Sequence, residues 1–369
     1  MKAYIAGGCR EHGRNSFLIE GHEYSLLIDC GIMKGSEQKY PYLSDEQIRK
    51  IRYLFLTHGH KDHIGGLDWL YQWGFCGTIY LAKETYQQMK LKPKNYVLLD
   101  PVDRNEIKVD KDLSIYFGRS GHCIGSLWFL LLFCGKKMIF TGDYCEDSLS
   151  YYCDYLRDTD ADLAFVDCAY GQKTGTAIYN RENLLKKVNE CFTHHKCLLF
   201  PVPKNGRGFD LIKLLSSSFY AGNIYIDDVL MQCMSRSKAW GNWMKNDGIS
   251  QKILQMSMDI ISDTCAIFVA DAQLEEENNQ VLAQKILERK GSVLFTGHTD
   301  LNTYASLLLH CGCANQFIYN VHQNLQEALA LCQKNHWNKI ILTHCGEGLY
   351  VNDDERNYLN LKTKDQIEI

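Results

Sequence analysis

The segment His58-Gly59-His60-Lys61-Asp62-His63 constrains this chain more than any other. It follows the apolar run Tyr53 to Leu56 and closes on Ile64-Gly65-Gly66. Imidazole nitrogen and carboxylate oxygen both ligate zinc and similar divalent ions. One residue separates His58 from His60, so an extended segment points both side chains the same way. Asp62 and His63 are adjacent and diverge. One tight loop can therefore feed two neighbouring metal positions. A solvated polar loop has no reason to concentrate three imidazoles in six residues.

The same local pattern recurs along the chain. Tyr53-Leu54-Phe55-Leu56-Thr57 runs into His58, and Met138-Ile139-Phe140-Thr141-Gly142 runs into Asp143. Val293-Leu294-Phe295-Thr296-Gly297 runs into His298, and Ile340-Ile341-Leu342-Thr343 into His344. Each short apolar run reads as a buried strand. Each ends in Thr and then, at once or after one Gly, in a group able to ligate or to move a proton. Strands that end along one edge would gather these groups, where α/β folds generally place their ligand sites. Gly121-His122-Cys123-Ile124-Gly125-Ser126 joins the strand Leu113 to Phe117 to the run Leu127 to Cys134 and adds a further candidate.

In this order the motifs resemble the metallo-β-lactamase fold, and within it the β-CASP branch of nucleic-acid-cleaving enzymes such as RNase J and the mRNA 3′-end cleavage endonuclease. Gly7-Gly8 and Arg10-Glu11-His12-Gly13-Arg14 resemble the family's N-terminal Gly-rich turn. Leu26 to Gly31 resembles its first motif, with Asp29 supporting the site. The His58–His63 cluster matches the second motif, His122 the third and Asp143 the fourth. Val166-Asp167-Cys168-Ala169-Tyr170-Gly171 resembles the acidic motif that opens the β-CASP part. Phe295 to Asp300 resembles its second motif, around His298, and Leu342 to Glu347 its third, around His344. Phe295-Thr296-Gly297-His298 departs from the usual Phe-Ser-Ala-His. Gly206-Arg207-Gly208-Phe209-Asp210 stands where the family tends to have Gly-Arg, a spacer, Gln and Glu.

The fold class so implied is α/β: an αββα sandwich interrupted by a doubly wound β-CASP domain. Residues 1–177 and 292–369 would form the metallo-β-lactamase core and residues 178–291 the insertion. The sequence of the insertion is regularly βα. Leu184, Leu185, Val188, Cys191 and Phe192 mark one helix face, with Asn180 as its expected N-cap. Strands are expected at Cys197–Phe200, Asn223–Ile226 and Cys265–Ala270, and helices at Phe209–Leu215 and Glu275–Glu288. Only about a strand and a helix follow His344, so the extra C-terminal domain of RNase J is not expected.

The 369 residues, 46% of them apolar, suffice for two cores. Net charge is −4 and the isoelectric point near 6.4, so the global basic field of many nucleic-acid binders is absent. Metal cations would supply positive charge locally. The 16 cysteines form no Cys-x-x-Cys pair, and no secretory segment precedes them, so buried, reduced thiols in a cytoplasmic protein are expected. The longest apolar stretch, Leu127 to Cys134, is too short to span a bilayer.

The resemblance implies two divalent metals, zinc with manganese as the alternative. His58, His60 and His122 would hold one, Asp62, His63 and His344 the other, and Asp143 would bridge them. A hydroxide between metals roughly 3.5–4 Å apart would attack phosphorus in line, since metal binding lowers a water's pKa toward ~7. A 3′-hydroxyl and a 5′-phosphate would remain. Asp62 would serve the chemistry as well as ligate. His298 would protonate the leaving oxygen, Asp167 would hold its tautomer, and Asp29 would orient a ligating histidine. Arg207 and Thr299 would contact phosphate. The implied substrate is single-stranded RNA. The alternatives are DNA under the same mechanism, a weakly active RNA-binding scaffold, and a small ester, thioester or lactam.

Overall fold

The computed structural model describes residues 1–102, 106–173, 175–217, 223–236, 241–245, 253–256, 264–346, 349, 351 and 357–369. The chain forms two compact units. The first comprises Met1–Glu146, Tyr152–Thr174 and His322–Ile369, and the second Asp147–Tyr151 and Gly175–Val321.

Unit one is a sandwich of two seven-stranded sheets. In the first sheet the strands run Gln366–Glu368, Lys2–Gly7, Ser16–Glu20, Ser25–Ile28, Ile51–Phe55, Thr78–Ala82 and Tyr96–Leu99. In the second they run Asn357–Tyr358, Lys339–Thr343, Leu163–Asp167, Lys136–Phe140, Leu127–Phe133, Leu113–Arg119 and Ile107–Lys108. Alternation along the strands builds both faces of each sheet. Phe17 turns inward, with ring centroids 4.8 Å from Phe165 and 6.3 Å from Phe140. Phe55 meets Phe129 at 5.5 Å, and Tyr24 meets Phe133 at 5.2 Å. Leu18, Leu27 and Leu54 turn outward, under Ile48 of helix Asp45–Lys50 and Leu67 and Leu70 of helix Leu67–Gln72. Ile139, Ala164, Val166 and Ile340 of the second sheet pack under Ala328 and Leu331 of helix Leu325–Gln333. The order helix, sheet, sheet, helix is the expected αββα sandwich.

Three neighbouring strands of the second sheet, Lys136–Phe140, Leu163–Asp167 and Lys339–Thr343, are mutually parallel. In the first sheet Ser25–Ile28 and Ile51–Phe55 are parallel as well. Their C-terminal ends deliver Asp143, Asp167, His344, Asp29 and His58.

Unit two is built on a six-stranded parallel sheet ordered Ile253–Gln255, Asn223–Ile226, Cys265–Val269, Cys197–Pro201, Ser292–Phe295 and Asn315–Gln316. Helices Ala177–His194, Arg207–Ser217 and Asp228–Arg236 bury Leu184, Val188, Ile212 and Leu230 against one face. Helices Glu277–Glu288 and Tyr304–His310 bury Ile286 and Leu308 against the other. Helices on both faces make it doubly wound.

Two sequence expectations change here. The strand Ser292–Phe295 does not return the chain to unit one; it pairs with Cys197–Pro201 through Leu198 and Leu199. Unit two therefore extends to Val321 rather than to residue 291. The N-cap of helix Ala177–His194 is Thr176, whose hydroxyl accepts from the Tyr179 amide. Asn180 sits inside the first turn; its side chain donates to the Ile318 carbonyl at 3.0 Å and accepts from the Asn320 amide at 3.0 Å. Among the described residues no helix is long and apolar enough to cross a membrane.

Phe165 is 2% exposed and stacks on Phe140 at 4.7 Å between the two sheets. Phe165→Ala should cost about 3–5 kcal/mol of stability, by the usual cavity penalty. Denaturant unfolding followed by intrinsic fluorescence checks this.

Candidate metal centre

The His58–His63 loop is clamped by Asn15, just before strand Ser16–Glu20, and by the loop that follows Ser25–Ile28. The Asn15 amide donates to the Asp62 carbonyl at 2.9 Å, Cys30 to His63 at 2.7 Å, and Ile32 to Lys61 at 3.1 Å. A side chain at Gly31 would collide with the Asp62 carbonyl, so only glycine admits this approach. Asp29 and His344 both adopt left-handed backbone, with φ of 58° and 61°. Such non-glycine conformations cost on the order of 1–3 kcal/mol and cluster at functional sites. Hydrogen bonds hold both residues. Asp29 accepts from the Thr57 amide at 2.8 Å and its hydroxyl at 2.7 Å, and the His344 amide donates to the Gly8 carbonyl at 2.6 Å.

Asp143 is the hub. Its Oδ2 lies 3.2 Å from His58 Nε2 and 3.4 Å from His122 Nε2. Its Oδ1 lies 3.1 Å from His63 Nε2 and 3.2 Å from His344 Nδ1. His60 Nδ1 is 3.2 Å from His122 Nε2, and Asp62 Oδ2 is 3.2 Å from His344 Nε2. Asp29 Oδ2 meets His63 Nδ1 at 2.7 Å, which leaves Nε2 facing the hub. His58, His60, His122 and Asp143 converge as one potential ligand group, and Asp62, His63 and His344 as another. Asp143, Asp167, His322 and His344 form a third.

The donor set fits divalent ions. His58 Nε2, His60 Nε2 and His344 Nδ1 are buried and make no hydrogen bond. Buried polar atoms are rarely left so; an ion in the first group would satisfy those of His58 and His60, and one in the second that of His344. Burial, with the charge of His58, pushes the His60 imidazole down to about 3. Burial and the charge of His63 lower His58, and burial lowers His122 further below its ordinary range. These rings are therefore neutral, the form that ligates. Burial alone would raise Asp143, but His63 and His344 outweigh it and hold the carboxyl well below its usual range. Burial would likewise lower His63 and His344, and the surrounding carboxylates, Asp143 foremost, raise both instead.

Asp167 is buried and accepts from the amides of Tyr144 at 3.0 Å and Ala169 at 3.1 Å. Its nearer imidazole partner is His322, with Nδ1 3.2 Å from Oδ2, and His344 Nδ1 lies 3.7 Å from Oδ1. Sequence reasoning missed His322. Its signal was available: the apolar residues Phe317, Ile318, Tyr319 and Val321 lead into it, and the N-cap Asn324 follows. The Tyr170 amide donates to Gln323 at 3.2 Å and Leu325 to Gly171 at 2.7 Å, which pins His322 beside the Asp167 turn.

The remaining expected site residues lie in unit two. His298 is exposed, and Gln273 donates to its carbonyl at 3.1 Å. Arg207 Nε donates to Thr296 Oγ1 at 3.2 Å, and its guanidinium occupies the space a side chain at Gly297 would need. Thr299 follows on the same loop. Glu347, in the third β-CASP motif, lies outside the described residues. Cys30 and Cys123 are buried, and burial pushes their thiols up, away from the reactive thiolate.

Residues 9–133 match the family model described as the metallo-beta-lactamase superfamily. The chain is 29% identical to a transcription termination factor FttA of Methanosarcina mazei, over 67% of this chain and 45% of that protein. It is 25% identical to a probable RNase MJ4 of Methanocaldococcus jannaschii, over 63% of this chain and 60% of that one. The chain thus spans about half the length of these relatives. A crystal structure of a protein of unknown function from Enterococcus faecalis V583 shares the fold, with a TM-score of 0.63 over 99% of each chain at 11% identity.

Because His63 and His344 hold protons against nearby carboxylates, metal uptake must displace them. Metal binding should release protons and tighten as pH rises through the range where these imidazoles lose theirs. Asp143→Asn should lose most bound metal. Calorimetry in buffers of different ionisation enthalpy reads the first, and elemental analysis the second.

Proposed function

We propose, from its membership of the metallo-β-lactamase superfamily and of that superfamily's β-CASP branch, that this chain is a metal-dependent phosphodiesterase that hydrolyses RNA. The observation that carries the reading is the convergence of five imidazoles and two carboxylates on one buried centre. His58, His60, His122 and Asp143 would hold one ion, and Asp62, His63, His344 and Asp143 a second. Zinc suits the imidazole-rich first group, and manganese is the alternative. Seven such ligands carry two negative charges against four positive, so the loaded centre stays cationic and attracts a phosphodiester. Bound there, the ions would supply Lewis acidity at the phosphoryl oxygen and lower the pKa of water.

The protein's own groups supply the rest. Asp29 fixes the His63 ring, so that Nε2 rather than Nδ1 faces the hub. The departing 3′-oxygen needs a proton. The sequence points to His298 for that role, held by Asp167. What supports giving it to His322 is the contact Asp167 makes: a buried carboxylate 3.2 Å from Nδ1 fixes the orientation of the ring. At His298 the backbone carbonyl accepts from Gln273 at 3.1 Å, and the residue stands exposed in unit two. A separate DNA reading has no observation in its favour.

The purified protein should cleave single-stranded RNA to products with 5′-phosphate and 3′-hydroxyl ends, and Asp143→Asn should not. Removal of a general acid typically costs about 10²–10⁴-fold. His322→Ala should therefore lower kcat by at least about 100-fold more than His298→Ala, while elemental analysis shows its metals retained. A larger loss from His298→Ala would return the role to that residue.

A further inference from the structure

The seven-stranded sheet whose strand ends carry Asp29 and His58 stops at Tyr96–Leu99, which has a neighbour on one side only, Thr78–Ala82. Hydrogen bonds fix which way each residue of this edge points. The Ile79 amide donates to the Asn95 carbonyl at 3.0 Å, while the Tyr80 carbonyl accepts from the Leu56 amide on the opposite side. By strand alternation, Asn95, Val97 and Leu99 direct their backbone groups at Thr78–Ala82. The amides and carbonyls of Tyr96 and Leu98 therefore face the open edge. Among the described residues no other strand pairs with them.

Tyr96 and Leu98 stand in register with Ile79 and Leu81, on the outer face of the sheet, yet each is 41% exposed. Sheet edges are normally guarded by charge, proline or a bulge within the strand. Tyr96-Val97-Leu98-Leu99 has none of these. The charges flank it instead: Lys94 lies two residues before Tyr96, and Asp100 two after Leu98. Neither has an ion-pair partner among the described residues. The Lys94 ammonium lies 6.0 Å from the Tyr71 ring, and one Asp100 oxygen accepts from the Val102 amide at 3.0 Å.

The segment is complementary to its own reversal. Antiparallel pairing about a two-fold axis through Val97 sets Tyr96 opposite Leu98 and Lys94 opposite Asp100, each twice. Tyr96 and Leu98 are the residues with outward amides and carbonyls, so opposite residues can exchange both bonds. An axis through Tyr96 would set Lys94 against Leu98, and one through Leu98 would set Tyr96 against Asp100. Both would lose the ion pairs. A strand of an unrelated protein could satisfy the backbone, but the charge order fits this sequence reversed.

We propose that a second copy of this chain docks on this edge, the two Tyr96–Leu99 strands running antiparallel about Val97 and joining the two seven-stranded sheets into one. Backbone bonds and the Tyr96–Leu98 pairs hold the contact, and Lys94 and Asp100 set its register.

Sedimentation equilibrium of the full chain over a concentration series should show a monomer–dimer equilibrium. Lys94→Asp alone, or Asp100→Lys alone, places like charges opposite each other at two symmetry-related positions. Each should raise the dimer Kd about tenfold. An equimolar mixture of the two variants should dimerise as tightly as the wild type, because each copy then supplies the charge the other lacks. The double variant should do the same. A wild type that stays monomeric at every concentration would overturn the inference. So would a dimer indifferent to both single changes, or a mixture no tighter than the single variants.

Discussion

One buried carboxylate surrounded by imidazoles sets the terms for the rest of unit one. Asp143 is 2% exposed and has four histidine nitrogens within 3.4 Å. An isolated carboxylate at that depth would take up a proton. It stays ionised because the surrounding cations outweigh desolvation, and those cations are either protonated imidazoles or metal ions. The two are mutually exclusive at His63 and His344. The centre is therefore poised between a proton-filled and a metal-filled form, with the same carboxylate compensating either charge.

Such a poise requires rigid donors, and the sandwich supplies them. His58, Asp143 and His344 follow strands whose neighbours are fixed by backbone hydrogen bonds and by aromatic packing between the sheets, and Asp62 and His63 stand on the short helix Lys61–Ile64. The exceptions are instructive. Asp29 and His344 depart from their strands through left-handed backbone, a conformation L-residues adopt at a cost. That cost buys direction: the carboxylate of Asp29 turns back under Thr57 and His63, and the imidazole of His344 turns between Asp62 and Asp143.

Much of this was legible in the chain because three conditions coincided. An apolar run of four or five residues announces a buried strand, a following Thr or Gly announces its end, and the next residue inherits the position at the sheet edge. His58, Asp143 and His344 satisfy all three. The same pattern at Val293–His298 belongs to a different sheet, because a run's composition does not say which partner it pairs with. Leu198 and Leu199 settle that for Ser292–Phe295, and they are almost a hundred residues distant. His322 escaped for the opposite reason. It follows no strand among the described residues; the apolar residues before it and the N-cap Asn324 after it are a weak signal, and its place is set by backbone bonds to the Asp167 turn. Asn180 likewise looked like a cap because Asn caps helices well, but Thr176 stood one turn earlier and took the position.

Asp167 and His322 also mark where the chain leaves unit one and where it returns. They are 155 positions apart in sequence and 3.2 Å apart at their nearest polar atoms. The backbone bonds Tyr170 to Gln323 and Leu325 to Gly171 close the two ends upon each other within unit one. Loop-closure entropy grows only with the logarithm of length, by about 0.6 kcal/mol per doubling. A large insertion is therefore inexpensive once its ends are pinned, and here the pinning residues are those of the candidate centre. The arrangement couples two properties that could have been independent. Whatever holds His322 beside Asp167 both closes the longest excursion of the chain and orients the ring proposed to deliver a proton, so a change in either segment acts on architecture and chemistry through the same hydrogen bonds.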